Sequence, residues 1–136
     1  MLAFKEFNLP SRIESVDAAA EGAASFAGSI GFPDDAIFAI DLAIRESVAN
    51  AVKHGNKFDE NKSVEVKLVE ADSGVEISVR DFGSGFSVDD IPDPTDQENL
   101  LKASGRGILF MRSFMDEVAW AHPEGGGLLV KMFKRR

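Results

Sequence analysis

The sequence predicts an α+β fold of two layers, with helices on one face of a mostly antiparallel, mixed sheet. Two patterns support this prediction. Apolar residues recur at helical spacing in two successive segments before residue 55, whereas alternating apolar and charged residues mark several short strands. Turn residues separate the two central strands by only a few positions, which favours a hairpin and therefore antiparallel pairing.

The chain is predicted to open with a strand and a capped helix. Residues 3–9 alternate as a strand does, and the strand ends at Pro10. Ser11 then stands where an N-cap is expected, with Glu14 three residues later. This spacing predicts a capping box at the start of a helix that continues to about residue 29.

A second helix is expected to follow directly. Asp34 and Asp35 place negative charge at its N-terminus, where the helix dipole favours it. We expect the helix to run to His54, and Gly55 to supply a left-handed stop. The predicted apolar stripe consists of Ile37, Ile40, Ile44, Val48, Ala51 and Val52.

The second half of the chain alternates between regular elements and one long irregular segment. The predicted elements are a hairpin of residues 63–70 and 75–79, a helix that includes Ile108, Met111 and Met115, and final strands at 117–121 and 127–134. Between the hairpin and this helix, the regular periodicity disappears over residues 82–104. A loop of this length in a small domain is typical of a functional lid or a disordered stretch.

Composition narrows the class of protein. The 136 residues, 44% of them hydrophobic, predict a single domain spanning 1–136. The absence of cysteine excludes disulfides and thiolate zinc sites, and a net charge of −8 argues against nucleic acid as the main partner. No apolar run approaches the roughly 20 residues that span a bilayer, so we expect a cytoplasmic protein without a membrane partner.

The first candidate cluster lies in the second predicted helix. Glu46 and Asn50 are four residues apart and therefore share one face of the helix, away from the apolar stripe. A carboxamide oxygen can bind Mg²⁺ while a carboxylate accepts a proton from an attacking hydroxyl, which suits a kinase or a hydrolase. By itself the pair also fits an ordinary solvated helix face.

The second cluster, VRDFGSGF at residues 79–86, ends a predicted strand. Asp81 can accept a hydrogen bond from an exocyclic amine, and Gly83 and Gly85 allow a flat ligand to approach the backbone. The alternative is an ordinary glycine turn.

The third cluster, SGRGI at residues 104–108, precedes a predicted helix. Ser104, Gly105 and Gly107 leave backbone N–H groups free to bind an anion at the helix N-terminus. The alternative is a capped helix start without a ligand. No Walker A sequence is present, so a P-loop enzyme is excluded.

The order and spacing of the three clusters resemble those of the GHKL ATPases, which share a Bergerat-type ATP-binding fold. More closely, the segments ESVANAVKHGN, VRDFGSGF and GRGILFMRSFMDEV are similar to the boxes of the anti-sigma factor serine/threonine kinases. The resemblance covers nearly the entire chain.

The resemblance implies a role for each cluster. Glu46 corresponds to the general base, Asn50 to the Mg²⁺ ligand and Asp81 to the residue that binds the adenine amino group. The other implied ATP-binding residues are Gly83, Gly85, Ser104, Gly105, Arg106 and Gly107. Two positions depart from the pattern. Phe82 replaces a residue that is often polar, and Ala103 replaces an arginine of some relatives. The γ-phosphate contact is then expected from Arg106 or Lys102, or is missing.

The same resemblance implies a function and partners. Such a kinase uses ATP and Mg²⁺ to phosphorylate a STAS-domain anti-anti-sigma protein, sequesters a sigma factor and forms a homodimer. The alternative function is that of a non-catalytic regulator of the same fold, which binds nucleotide or partner without transferring phosphate.

Overall fold

The computed structural model describes residues 2–83 and 111–136 of the chain. The elements in chain order are β1 (Phe4–Pro10), α1 (Glu14–Ser29), α2 (Asp34–Asn50), a π-helical turn (Ala51–Gly55), β2 (Ser63–Ala71), β3 (Gly74–Arg80), β4 (Glu117–Ala121) and β5 (Leu129–Arg135). Residues 111–114 are also helical and lead into β4. The predicted α+β class is confirmed. The predicted lid lies almost entirely outside the described residues.

The strands form one sheet in the order β1-β2-β3-β5-β4, and all four described pairings are antiparallel. The predicted hairpin is the pair β2–β3, closed where Ala71 pairs with Gly74. Alternate residues of the central strands are buried beneath α1 and α2: Val64, Val66, Leu68, Val75, Ile77, Val79, Val130 and Met132. The helices therefore cover one face of the sheet, as predicted.

The predicted capping box at the start of α1 is wrong. The helix begins at Glu14 without any side-chain cap, and the Ser11 hydroxyl is buried without a partner in the part of the chain that the structure describes. A tight turn after Pro10 replaces the cap. In it the N–H groups of Arg12 and Ser15 donate to the carbonyls of Pro10 and Arg12, at 2.9 and 3.0 Å. Backbone carbonyls thus accept hydrogen bonds from N–H groups that a side-chain N-cap would otherwise satisfy.

The second helix also ends differently from the prediction. The α-helix stops at Asn50, and the chain continues as a π-helical turn in which the N–H of Asn56 donates to Ala51 O over 2.8 Å. Gly55 is not left-handed. The left-handed residues are Lys57 and Phe58, with φ of +52° and +60°. The π-turn widens the helix end at a site that lines a pocket, a common location for such turns.

The last strand starts at Leu129, two residues later than predicted. The three glycines before Leu128 all have positive φ, between +85° and +94°, and cannot join a regular strand. They form the turn between β4 and β5.

Candidate functional site

A pocket lies where α2 and the π-turn meet the ends of β3 and β5. Its apolar lining includes Val79, Met111, Trp120 and Leu128, and its polar lining includes Asn50 and Asp81. The pocket is mostly apolar, with a few polar groups at its wall.

Asp81 follows the last residue of β3 and is only 3% exposed. Its Oδ1 accepts hydrogen bonds from the N–H groups of Gly83 at 3.0 Å and Leu128 at 3.2 Å. Its own N–H donates to Leu128 O over 3.0 Å. The carboxylate is therefore held by its neighbours on both sides.

Burial makes the charged form of the Asp81 carboxyl less stable than it is in water. Burial raises the pKa of the Asp81 carboxyl above its ordinary value, because the charged form loses contact with water. The N–H groups of Gly83 and Leu128 oppose this rise in pKa, followed by the charges of Lys62 and Arg80. An ionised carboxylate accepts hydrogen bonds and donates none, so a ligand amine would relieve its desolvation.

Two glycines make room around this carboxylate. A Cβ atom added at Gly55 would overlap Oδ2 of Asp81, and one added at Gly83 would overlap the carbonyl oxygen of Gly55. The sequence pointed to a turn at Gly55 and to ligand approach at Gly83. The structure shows instead that Gly55 is required because the helix end and the strand end touch there.

Asn56 connects the same two chain segments and was not among the predicted site residues. Its Oδ1 accepts the N–H of Phe82 over 2.9 Å, and its Nδ2 donates to Ser63 O over 2.9 Å. The side chain is 2% exposed. Its signal in the sequence was its place at the end of ESVANAVKHGN, one of the segments that resemble the boxes of the anti-sigma factor kinases.

Glu46 and Asn50 lie one turn apart on α2, and both are half-buried, whereas Ile44 and Val48 on the apolar face are fully buried. Asn50 lines the pocket and Glu46 lies about 6 Å further along the helix axis. Neither side chain has a hydrogen-bond or ion-pair partner within residues 2–83 and 111–136. Both remain available to a ligand.

The structure thus brings Asn50, Asp81 and Gly83 together, with Glu46 one turn away. The other predicted ATP-binding residues lie outside the described residues: Gly85, Ser104, Gly105, Arg106 and Gly107. Among described side chains, no group of three or more acidic or histidine residues could hold a metal ion. No helix in the described ranges is long and apolar enough to cross a membrane.

Comparison with known proteins identifies the family of the chain. The family model of the histidine kinase-like ATPase domain matches residues 9–134. The chain belongs to this family. Among its curated relatives are the anti-sigma F factor of Geobacillus thermodenitrificans, 34% identical over 91% of this chain and 86% of that protein, and the serine-protein kinase RsbW of Listeria monocytogenes, 24% identical over 92% and 83%. These relatives confirm the resemblance to the anti-sigma factor kinases.

A solved structure shows the same fold. The RsbU and RsbW domains of Rv1364c from Mycobacterium tuberculosis align with a TM-score of 0.73 at 22% identity over 98% of this chain. The alignment covers 32% of that longer chain, so the likeness concerns one portion of it.

Proposed function

We propose that this chain is an ATP-dependent kinase that phosphorylates a serine or threonine of a STAS-domain anti-anti-sigma protein. When that partner is phosphorylated, the kinase is free to hold a sigma factor inactive. One observation carries the proposal. Asp81 is a buried carboxylate at a pocket that Asn50 also lines, and one of its oxygens is already occupied by two backbone donors. The names of the relatives support the finer assignment.

The adenine end of the site is assigned to Asp81. A fixed carboxylate at an apolar pocket selects a ring that presents an amine, and adenine does so through its 6-amino group. Val79, Met111 and Leu128 supply apolar surface for the faces of the ring.

The reactive end is assigned to α2. The amide oxygen of Asn50 would hold Mg²⁺, which when bound neutralises charge on the phosphates during transfer. Glu46 would accept the proton of the attacking hydroxyl, and its place one turn from Asn50 keeps both groups on one side of the helix. We also assign phosphate binding to Ser104, Gly105, Arg106 and Gly107. We further propose that the protein is cytoplasmic and forms a homodimer.

Phosphotransfer from labelled ATP to candidate STAS proteins, alongside a nucleotide-binding titration, tests the proposal. The unmodified protein should label a serine or threonine of its partner and bind ATP. Asp81→Asn should lose ATP binding, because an amide presents a donor where the carboxylate offers only acceptors. Asp116→Asn is the matched control, since Asp116 accepts the N–H of Arg135 over 2.7 Å at an exposed position away from the pocket.

The outcomes separate the candidate functions. If the protein binds ATP and a STAS partner but transfers nothing, it is a non-catalytic regulator. If Asp81→Asn binds ATP as tightly as the Asp116→Asn control, Asp81 does not contact the base.

A further inference from the structure

The side chain of Arg80 holds the turn between β4 and β5. Its Nη2 donates to Glu124 O over 3.0 Å and to Gly126 O over 3.2 Å. The guanidinium carbon lies 4.5 Å from the centroid of the Phe82 ring. Arg80 is the last residue of β3 and directly precedes Asp81. The end of this strand therefore carries both the Asp81 carboxylate and the guanidinium that binds the turn.

The backbone of this turn between β4 and β5 is intrinsically flexible. Gly125, Gly126 and Gly127 follow one another with φ of +92°, +94° and +85°. Glycine loses more conformational freedom on ordering than any other residue. Three in succession therefore make a turn whose position depends on the contacts that hold it.

The far end of this turn reaches the nucleotide-site carboxylate. A Cβ atom at Gly127 would overlap the carbonyl oxygen of Asp81, so the two backbones are in direct contact there. The next residue, Leu128, donates its N–H to Asp81 Oδ1 over 3.2 Å. The Leu128 carbonyl also accepts the N–H of Asp81 over 3.0 Å, so a displaced turn would weaken the Leu128 donor rather than remove it.

We propose that Arg80 is a positioning residue that sets selectivity for a 6-amino purine over a 6-oxo purine. By holding the turn, it keeps the Leu128 N–H on Oδ1 of Asp81 and fixes where the second oxygen meets the base. Adenine donates from its 6-amino group, whereas a 6-oxo purine such as hypoxanthine donates from N1–H, one position along the ring. The 6-amino group and N1–H lie at different positions on the ring, so the carboxylate distinguishes between them only if it is held in place. This inference rests on the proposed function, because it assumes a purine nucleotide in the pocket.

The test compares Arg80→Met with Arg136→Met. Arg136 is a matched control, since it donates to Ile30 O over 2.6 Å and lies 5.6 Å from the Phe32 ring centroid, away from the pocket. The measurements are the dissociation constants of ATP and inosine triphosphate and the hydrogen-exchange rate of the Leu128 amide without nucleotide. Arg80→Lys, which keeps one charged donor group, serves as the conservative variant.

In Arg80→Met, we expect ATP affinity to fall about tenfold, the effect of weakening one hydrogen bond to a charged group. Inosine triphosphate affinity should change little, so the selectivity ratio should fall by about the same factor. The Leu128 amide should exchange faster than in Arg136→Met. Arg80→Lys should recover part of the selectivity, and it decides the question if Arg80→Met does not fold.

An unchanged selectivity ratio in the Arg80 variants would overturn the proposal, as would an equal loss in Arg136→Met. If the unmodified protein binds neither nucleotide, the proposed function fails. In that case the inferred base selectivity fails with it, while the Leu128 exchange rates still show whether Arg80 holds the turn.

Discussion

The two ends of the pocket differ in how firmly the fold holds their polar groups. At one end, Asp81 is fixed by two N–H donors and by the close approach of Gly55. At the other, Asn50 at the pocket wall and Glu46 one turn outside it lie half-buried on α2 and have no polar partner within the part of the chain that the structure describes. We call the Asp81 side the base end, after the adenine base that we propose it binds, and the Glu46 and Asn50 side the reactive end. Backbone donors fix the polar group of the base end, whereas the described residues give those of the reactive end no polar partner.

The two ends also differ in the free-energy cost of burying their polar groups. The buried Asp81 carboxylate costs stability when it is ionised, because its hydrogen bonds only partly replace its hydration. Polar groups on a partly exposed helix face carry little such cost. Substitutions at the base end should therefore change ligand affinity and stability together, and substitutions at Glu46 should change the rate alone.

The largest expected effect is at the reactive end. Glu46→Gln keeps the shape of the side chain but removes its ability to accept a proton. Phosphorylation of the partner should fall by about 10² to 10⁴-fold, the usual contribution of a general base. ATP affinity should stay the same. Rapid phosphotransfer time courses at saturating ATP, with a separate ATP titration, measure the two quantities.

Glu21→Gln is the control for this variant, because Glu21 lies exposed on α1, a different helix from the one that carries Glu46. It should transfer phosphate at the unmodified rate. If Glu46→Gln also does so, Glu46 is not the base and the contrast between the two ends is lost.

A smaller effect is expected where the helix end meets the strand end. Gly55→Ala places a methyl group against Oδ2 of Asp81, so the carboxylate must shift. ATP affinity should fall by about tenfold, equivalent to about 1.4 kcal/mol. Isothermal titration with ATP and Mg²⁺ measures the change.

Gly28→Ala is the matched substitution for Gly55→Ala. The nearest atom to an added Cβ at Gly28 is Cδ1 of Ile37, at an ordinary contact distance of 3.7 Å. Alanine in this helical position should raise stability by up to about 1 kcal/mol and leave ATP affinity unchanged. Equal ATP affinity in the two variants would show that Gly55 is not required for the Asp81 position.

The contrast between the two ends also explains what could be predicted from the sequence. Glu46 and Asn50 share a helix face because of their spacing alone, so local periodicity was sufficient to place them. The strands of the sheet were found for the same reason, since alternation of apolar residues is a local signal.

The parts that failed depend on contacts between distant segments. Gly55 was taken for a helix stop because nothing in its neighbourhood shows that Asp81, 26 positions later, packs against it. The Leu128 donor is further still along the chain. The capping box at Ser11 failed because a backbone turn after Pro10 supplied the acceptors instead. Tertiary packing thus overrides the local preference at Gly55, whereas at Ser11 one local structure replaces another.

The smallest expected effect concerns stability without nucleotide. Because burial raises the pKa of Asp81, the folded protein retains a proton at pH values where the unfolded chain has lost it. Stability from this group is therefore present below the ordinary aspartate pKa and is lost as pH rises through the raised value. Asp81→Asn carries no such proton.

The stability of Asp81→Asn relative to the unmodified protein should consequently increase as pH rises across that window and then level off. The expected change is a few degrees in Tm, measured by thermal unfolding from pH 4 upward. Asp116→Asn, at an exposed position away from the pocket, is the control substitution. A constant difference between Asp81→Asn and the unmodified protein at every pH would contradict a raised pKa of Asp81. Burial would then impose no desolvation cost on the carboxylate for a ligand amine to offset.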